Sequence, residues 1–184
     1  MRRTAEGSIL YSITDEERQR ALRVGRERQE FHDRRGTPNA YGMKGDRAYS
    51  LRVNQLGALG ELVVATLLGC EDEWVECTAD YQELPGDVWP RVQVRSGQRP
   101  NGRLYLHPRD SDDHAFVLNR LHMAAKEGVV EVVGWTWAGA AKREEWWGVP
   151  GRDRDPRRAC FMVPTEVLTP GLRGLWAGAR HNPR

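Results

Sequence analysis

Lysine is almost missing from this chain: of its 28 basic residues only Lys44, Lys126 and Lys142 are lysine, and the rest are arginine. Positive charge therefore sits on planar guanidinium forks, which suit phosphate better than an ammonium point charge does. A formal net charge of +2 over 184 residues is nonetheless too small to establish a nucleic-acid partner by itself. Cysteine is scarce as well. Cys70, Cys77 and Cys160 are odd in number and lack CxxC spacing, which excludes a zinc knuckle and a disulfide framework and leaves three reduced thiols. The longest apolar run, Leu62 to Leu68, falls far short of the roughly 20 residues that cross a bilayer. Met1-Arg2-Arg3 continues into polar residues without an apolar signal region, so the expected location is the cytoplasm.

The chain is long enough for one domain with a true core and too short for two complete ones. We expect a single domain over 1–184, with an Arg-rich helix and connector over 1–48, a core over 49–168 and a tail over 169–184. Thr14 followed by Glu17 forms a capping-box pattern that predicts a helix to about Arg35, stopped by Gly36 and Pro38. Along it Arg18, Arg20, Arg23, Arg26, Arg28, Arg34 and Arg35 interleave with Glu16, Glu17, Glu27 and Glu30. The pattern reads either as a solvated helix with ion pairs one turn apart or as a face that tracks phosphates.

Leu56 to Leu68 reads as a buried helix ending at Gly69. Short β-type runs follow at Glu73 to Thr78, Arg91 to Ser96, Leu104 to His107, Ala115 to Leu118 and Val129 to Trp137, and together they predict one mixed sheet. A short helix over Ala138 to Trp147, a strand over Phe161 to Val163 and a helix start at Pro164-Thr165-Glu166 complete the expectation.

Glu61 is the only charged residue between Gln55 and Gly69. An unpaired buried carboxylate costs several kcal/mol, roughly, so Glu61 must meet a metal, a cation or donors, or emerge beside a cleft. Asp87 lies in a Pro85-Gly86-Asp87-Val88 turn that hands over to a strand, where a carboxylate serves turn chemistry or a site. In Arg91-Val92-Gln93-Val94-Arg95 the strand period puts Gln93 and Arg95 on one face and the valines on the other.

A buried helical Glu, then an Asp after a turn, then a strand with a polar-x-cation pair resembles the PD-(D/E)XK nuclease superfamily. Leu59-Gly60-Glu61-Leu62 resembles its first-helix acid, Gly86-Asp87-Val88 its first strand acid, and Gln93-Val94-Arg95 stands at its (D/E)-x-K triplet. The stretches GALGELVVATLLG, GDVW, VQVRS and GWTWAGAAKREEWW resemble small proteins of phages and prophages, over about Asn54 to Pro164 and without the first helix. The resemblance implies an α/β fold with a mixed central sheet flanked by helices, in a bacterial or phage-infected cytoplasm. It implies Mg²⁺ or Mn²⁺ held by Glu61, Asp87 and Gln93, with Arg95 stabilising the phosphate and water attacking it. Two positions depart from the pattern: Gln93 brings no charge, and Arg95 does not readily lose a proton to act as a base.

The expected function is metal-dependent phosphodiester hydrolysis on DNA, and the alternative is a nuclease-like fold that binds nucleic acid or a protein without cutting. Candidate nucleic-acid contacts are Arg23, Arg26 and Arg34 on the first helix and Lys142 and Arg143 beside Trp135, Trp137, Trp146 and Trp147. A homodimer and a protein partner stay open. His107, His114 and His122 have no metal-ligand spacing, and Asp110, Asp112 and Asp113 read as a polar turn.

Overall fold

A computed structural model of the chain describes residues 1–35, 46–74, 86–88, 91–122, 128–151 and 155–175. After a two-residue strand β1 (Arg2–Arg3) and β2 (Ile9–Ser12) come two long helices, α1 (Asp15–Arg35) and α2 (Arg47–Leu68). The strands β3 (Val92–Gly97), β4 (Leu104–Leu106), β5 (Ala115–His122) and β6 (Val129–Trp137) follow, then a single helical turn α3 (Ala138–Ala141). Short strands β7 (Trp147–Gly148), β8 (Cys160–Val163) and β9 (Thr169–Pro170) complete the order.

Both helices end where local chemistry ends them. The Thr14 hydroxyl accepts the Glu17 N–H at 3.2 Å while the Glu17 carboxylate accepts the Thr14 N–H at 2.8 Å, the reciprocal capping box that starts α1. Asp46 caps α2 through the Tyr49 N–H at 3.0 Å, and Gly69 closes it in the left-handed region at φ 66°. α2 therefore begins nine residues before the expected Leu56, because its first turns are polar and half-exposed and only the later ones are core. By length and mean hydropathy, 1.2 over a window, α2 alone among the described helices matches a membrane span. Its turns from Ala58 to Ala65 are instead packed within the domain.

The main sheet runs β1-β2-β6-β5-β3, with β9 pairing β6 beside this path. Among the described strands only β3 and β5 are parallel, in the register Gln93↔Phe116 and Arg95↔Leu118. The expectation of one mixed sheet needs correction: β4 leaves the main sheet and joins β8 and β7 in a separate three-stranded one. The alternation along β3 and β5 explains why a second sheet is needed. Val92, Val94, Ala115 and Val117 face the helices, whereas Phe116, Leu118 and Val133 face away and need their own cover, which Leu104, Leu106 and Val163 supply. The result is helices, mixed sheet and small sheet in three layers, an α/β fold with a mixed sheet flanked by helices on one face.

Other boundaries also shift. The helix expected over Ala138 to Trp147 stops at Ala141, and a 3₁₀ turn at Glu144–Trp146 leads straight into β7. Of the strand expected over Glu73 to Thr78, Glu73 closes a 3₁₀ turn, Trp74 forms a single bridge to Val88, and the remainder lies outside the described residues. A boundary between 48 and 49 would cut α2, and the supposed tail from 169 contributes β9 and the buried Leu175. β2 pairs along β6, so the N-terminal segment belongs to the sheet.

Candidate functional site

Two close approaches set the height of the site. A side chain on Gly25 would meet the Gln55 backbone at 2.5 Å, so α1 and α2 cross nearly backbone to backbone. A side chain on Gly60 would come within 2.0 Å of the Ser96 hydroxyl, so α2 lies close against β3. The Asn119 amide ties this contact down by donating to the Gly60 carbonyl at 2.9 Å. Gly60 thereby places its neighbour Glu61 at the level of β3, and Gly25 brings the next turn of α1 within reach of it.

Glu61 is buried and satisfied. Arg28 of α1 grips it with both terminal nitrogens, Nη1 to Oε1 at 2.9 Å and Nη2 to Oε2 at 2.6 Å, and the Trp74 indole N–H adds a donor to Oε2 at 3.2 Å. The partner that the sequence demanded is thus an arginine from the helix left outside the resemblance. Its signal was present in the spacing: Ala21, Val24, Arg28 and Phe31 fall three, four and three apart, and all four are buried. A cation in the apolar stripe of one helix and an anion in that of the next make a pair.

Among the described residues β3 ends the main sheet, and Asp87 lies beside it. Its backbone N–H donates to the Val92 carbonyl at 2.9 Å, and its Oδ2 accepts the Val94 N–H at 2.8 Å, which fixes the carboxylate against the strand. Burial, and then the negative charge of Glu61, push its pKa up to about 7 against the opposing pull of Arg95, the Val94 N–H and Arg28.

On the face of β3 turned away from α2, Arg95 lies over the Phe116 ring at 4.9 Å and donates to the Gln93 Oε1 at 3.3 Å. It also donates to the Val94 carbonyl at 3.5 Å, and among the described residues its nearest carboxylate oxygens, Asp87 Oδ2 at 3.8 Å and Asp110 Oδ2 at 3.9 Å, are too far for hydrogen bonds. Asp87, Gln93 and Arg95 are therefore brought together, while Glu61 reaches them only through its field on Asp87.

The loop beside Arg95 is stitched into shape. Lys142 donates to the Pro108 carbonyl at 3.1 Å, to the Asp110 carbonyl and to the Asp112 carboxylate at 2.6 Å. Asp110 accepts the His107 N–H at 2.7 Å, and Asp113 pairs with Arg91 at 2.6 Å. The acidic cluster is the polar turn that its composition predicts. Lys142, expected to meet nucleic acid, has its three donors engaged in this loop, because α3 ends against it. Burial lowers the pKa of His107 and of His114, which favours neutral rings.

The remaining expected contacts lie on the surface. Arg23, Arg26 and Arg34 are exposed on one face of α1, with Arg23 3.8 Å from Glu27 one turn on. Arg143 is exposed, 3.0 Å from Glu145 and stacked on Trp146 at 5.0 Å. Trp135 is in the core and Trp137 packs beside it at 5.5 Å, whereas Trp147 is exposed at an edge.

A hard divalent cation does not fit this arrangement. Mg²⁺ demands about six oxygens near 2.1 Å, but both acceptor directions of Glu61 Oε2 and one of Oε1 already hold N–H groups. The Glu61 and Asp87 carboxylates also stand beside two guanidiniums, Arg28 and Arg95, so their negative charge is offset before any ion arrives.

Fold and site together define an α/β domain carrying a carboxylate–arginine cluster at the edge of a mixed sheet. Comparison of the chain with protein-family models, with curated proteins and with solved structures finds no match.

Proposed function

We propose that this chain is a nuclease-like nucleic-acid-binding protein that holds a backbone phosphate of DNA at Arg95 and does not cut it. The observation that carries the reading is the state of Arg95. It is about a third exposed, braced by Gln93 and Phe116, and among the described residues its two nearest carboxylates are both beyond hydrogen-bond reach. A positioned guanidinium with spare donors at a strand edge is suited to take two phosphate oxygens. Gln93 orients the fork, the Lys142-stitched loop lies beside it, and Arg23, Arg26, Arg34 and Arg143 add exposed positive charge elsewhere on the surface.

Metal-dependent hydrolysis is the second reading, and one observation favours it. Glu61 and Asp87 lie close enough for the first to raise the pKa of the second, and such crowding of like charge is what a divalent ion relieves. The hydrolytic reading requires Arg28 to leave Glu61.

Binding of labelled DNA followed by anisotropy separates the two. Binding is expected to be unchanged by EDTA and about ten-fold or more weaker in Arg95→Gln, the loss of a charge-assisted phosphate contact. No nicking is expected with Mg²⁺ or Mn²⁺. Cleavage that needs the metal and disappears in Asp87→Ala would establish hydrolysis instead, and Gln93→Glu should then retain or increase it. Neither binding nor cleavage would remove both readings.

A further inference from the structure

We infer that Arg28 is the resident cation of this site: by gripping both oxygens of Glu61 from α1 it takes the place of a divalent ion and keeps the carboxylates metal-free. The inference rests on reading the Asp87–Gln93–Arg95 edge as a nuclease-like site, and it deepens that reading by assigning the role of α1.

Four observations carry it. Arg28 meets Glu61 through two near-parallel bonds of 2.9 and 2.6 Å, the fork-on-carboxylate geometry that most fully occupies both partners. The pair is inaccessible, with the two side chains 9% and 7% exposed, so water does not screen it and an entering ion must first displace the guanidinium. Trp74 donates to Oε2 as well, so that oxygen already accepts two N–H groups. The backbone approach of Gly25 to Gln55 fixes the spacing of the helices, so Arg28 cannot withdraw by a local shift of α1.

The chemistry follows from charge. With Arg28 in place the field of Glu61 at Asp87 is opposed by that of the guanidinium, and Asp87 faces Arg95 across 3.8 Å. Replacing Arg28 by a neutral side chain leaves the Glu61 carboxylate without its cation beside Asp87, and crowded negative charge of this kind is what a hard cation relieves. Arg28 is thus a positioning residue that decides which cation the site contains.

Mn²⁺ alone is the probe, with the free ion followed by its EPR signal. The full-length wild-type chain is expected to leave Mn²⁺ free up to about 1 mM, near the weak limit of protein oxygen sites. Arg28→Met, which keeps the length and apolar stem, should take up one ion per chain, and Arg28→Met with Glu61→Gln should lose it. Arg28→Lys keeps a cation and should still refuse the metal. A second measurement on the wild type does not depend on a variant folding. The Trp74 indole N–H resonance should survive added Mn²⁺, since an ion on Glu61 would sit within a few ångströms of it and broaden it away. Stoichiometric uptake by the wild type with loss of that resonance overturns the inference, and so does a folded Arg28→Met that takes up no metal. DNA binding measured on the same wild-type sample separates the two proposals. Absent DNA binding with Mn²⁺ still refused removes the phosphate reading and leaves the resident cation in place.

Discussion

Glu61 and Arg28 show how a single charged residue in an apolar helix constrains a neighbouring element. Each sits in the buried stripe of its own helix, and neither is tolerable there alone. Removing one partner leaves an uncompensated buried charge, so Arg28→Met should cost about 3–5 kcal/mol in chemical denaturation. Adding Glu61→Gln, which keeps an acceptor for the Trp74 N–H, should recover much of that loss. A double variant no more stable than Arg28→Met would mean that the pair is not the source of the cost. The demand for a partner could be read from Glu61 in the sequence. Its identity lay only in the spacing that puts Arg28 in the apolar stripe of α1, because charge composition alone does not distinguish it from the arginines beside it.

Asp87 is the other residue whose environment sets a measurable property. Its pKa in the folded chain is raised from 3.8 to about 7, mainly by burial. The fold therefore favours the protonated form. The stabilisation is complete below the unfolded value and disappears as the pH rises through about 7. Asp87→Asn keeps an oxygen for the Val94 N–H but removes the ionisation. The Tm of Asp87→Asn minus that of the wild type should accordingly be more positive at pH 8 than at pH 5. A difference that is flat, or that falls with pH, would show that Asp87 ionises as an ordinary carboxylate.

Among the elements, those with a local signal were legible and those defined by distant contacts were not. The Thr14–Glu17 capping box and Gly69 are local chemistry, and the helix ends they imply are where the structure has them. The strand at Arg91 to Ser96 carries its own alternation and appears as β3. β4 also reads correctly as a strand, but its partner is β8, more than fifty residues on, and no local pattern specifies that choice. β2 was missed for the same reason, since its place comes from pairing with β6. The crossing of α1 and α2 gives the element-scale prediction. A methyl on Gly25 would lie 2.5 Å from Gln55 Cα, and backbone cannot rotate away as a side chain can. Gly25→Ala should therefore destabilise the fold by about 1–3 kcal/mol despite alanine's higher helix propensity. An increase in stability from that substitution would show that the helices are not in backbone contact.

At the scale of the whole molecule the question is how a chain of near-zero net charge attracts a polyanion. Distribution answers where the total does not. Arg23, Arg26 and Arg34 are spaced three and eight residues apart and share an exposed face of α1, but Glu27 and Glu30 stand among them. The exposed Arg23–Glu27 pair is worth little in water, so a phosphate can replace that glutamate at small cost. Arg95 differs, because among the described residues the fold braces it on Gln93 and Phe116 with no salt bridge of hydrogen-bond length. Counterion release gives the two groups different signatures: log Kd against log salt should have a slope of about 0.9 per phosphate neutralised on duplex DNA. Substituting Arg23, Arg26 and Arg34 together by Gln should reduce that slope by about two to three with a modest loss of affinity at low salt. Arg95→Gln should reduce it by only about one while weakening binding at every salt concentration, since it removes a preorganised contact as well as a charge. An unchanged slope in the triple variant would take α1 out of the interface. A slope change without a salt-independent loss in Arg95→Gln would reduce Arg95 to one more surface charge, and the proposed phosphate site with it.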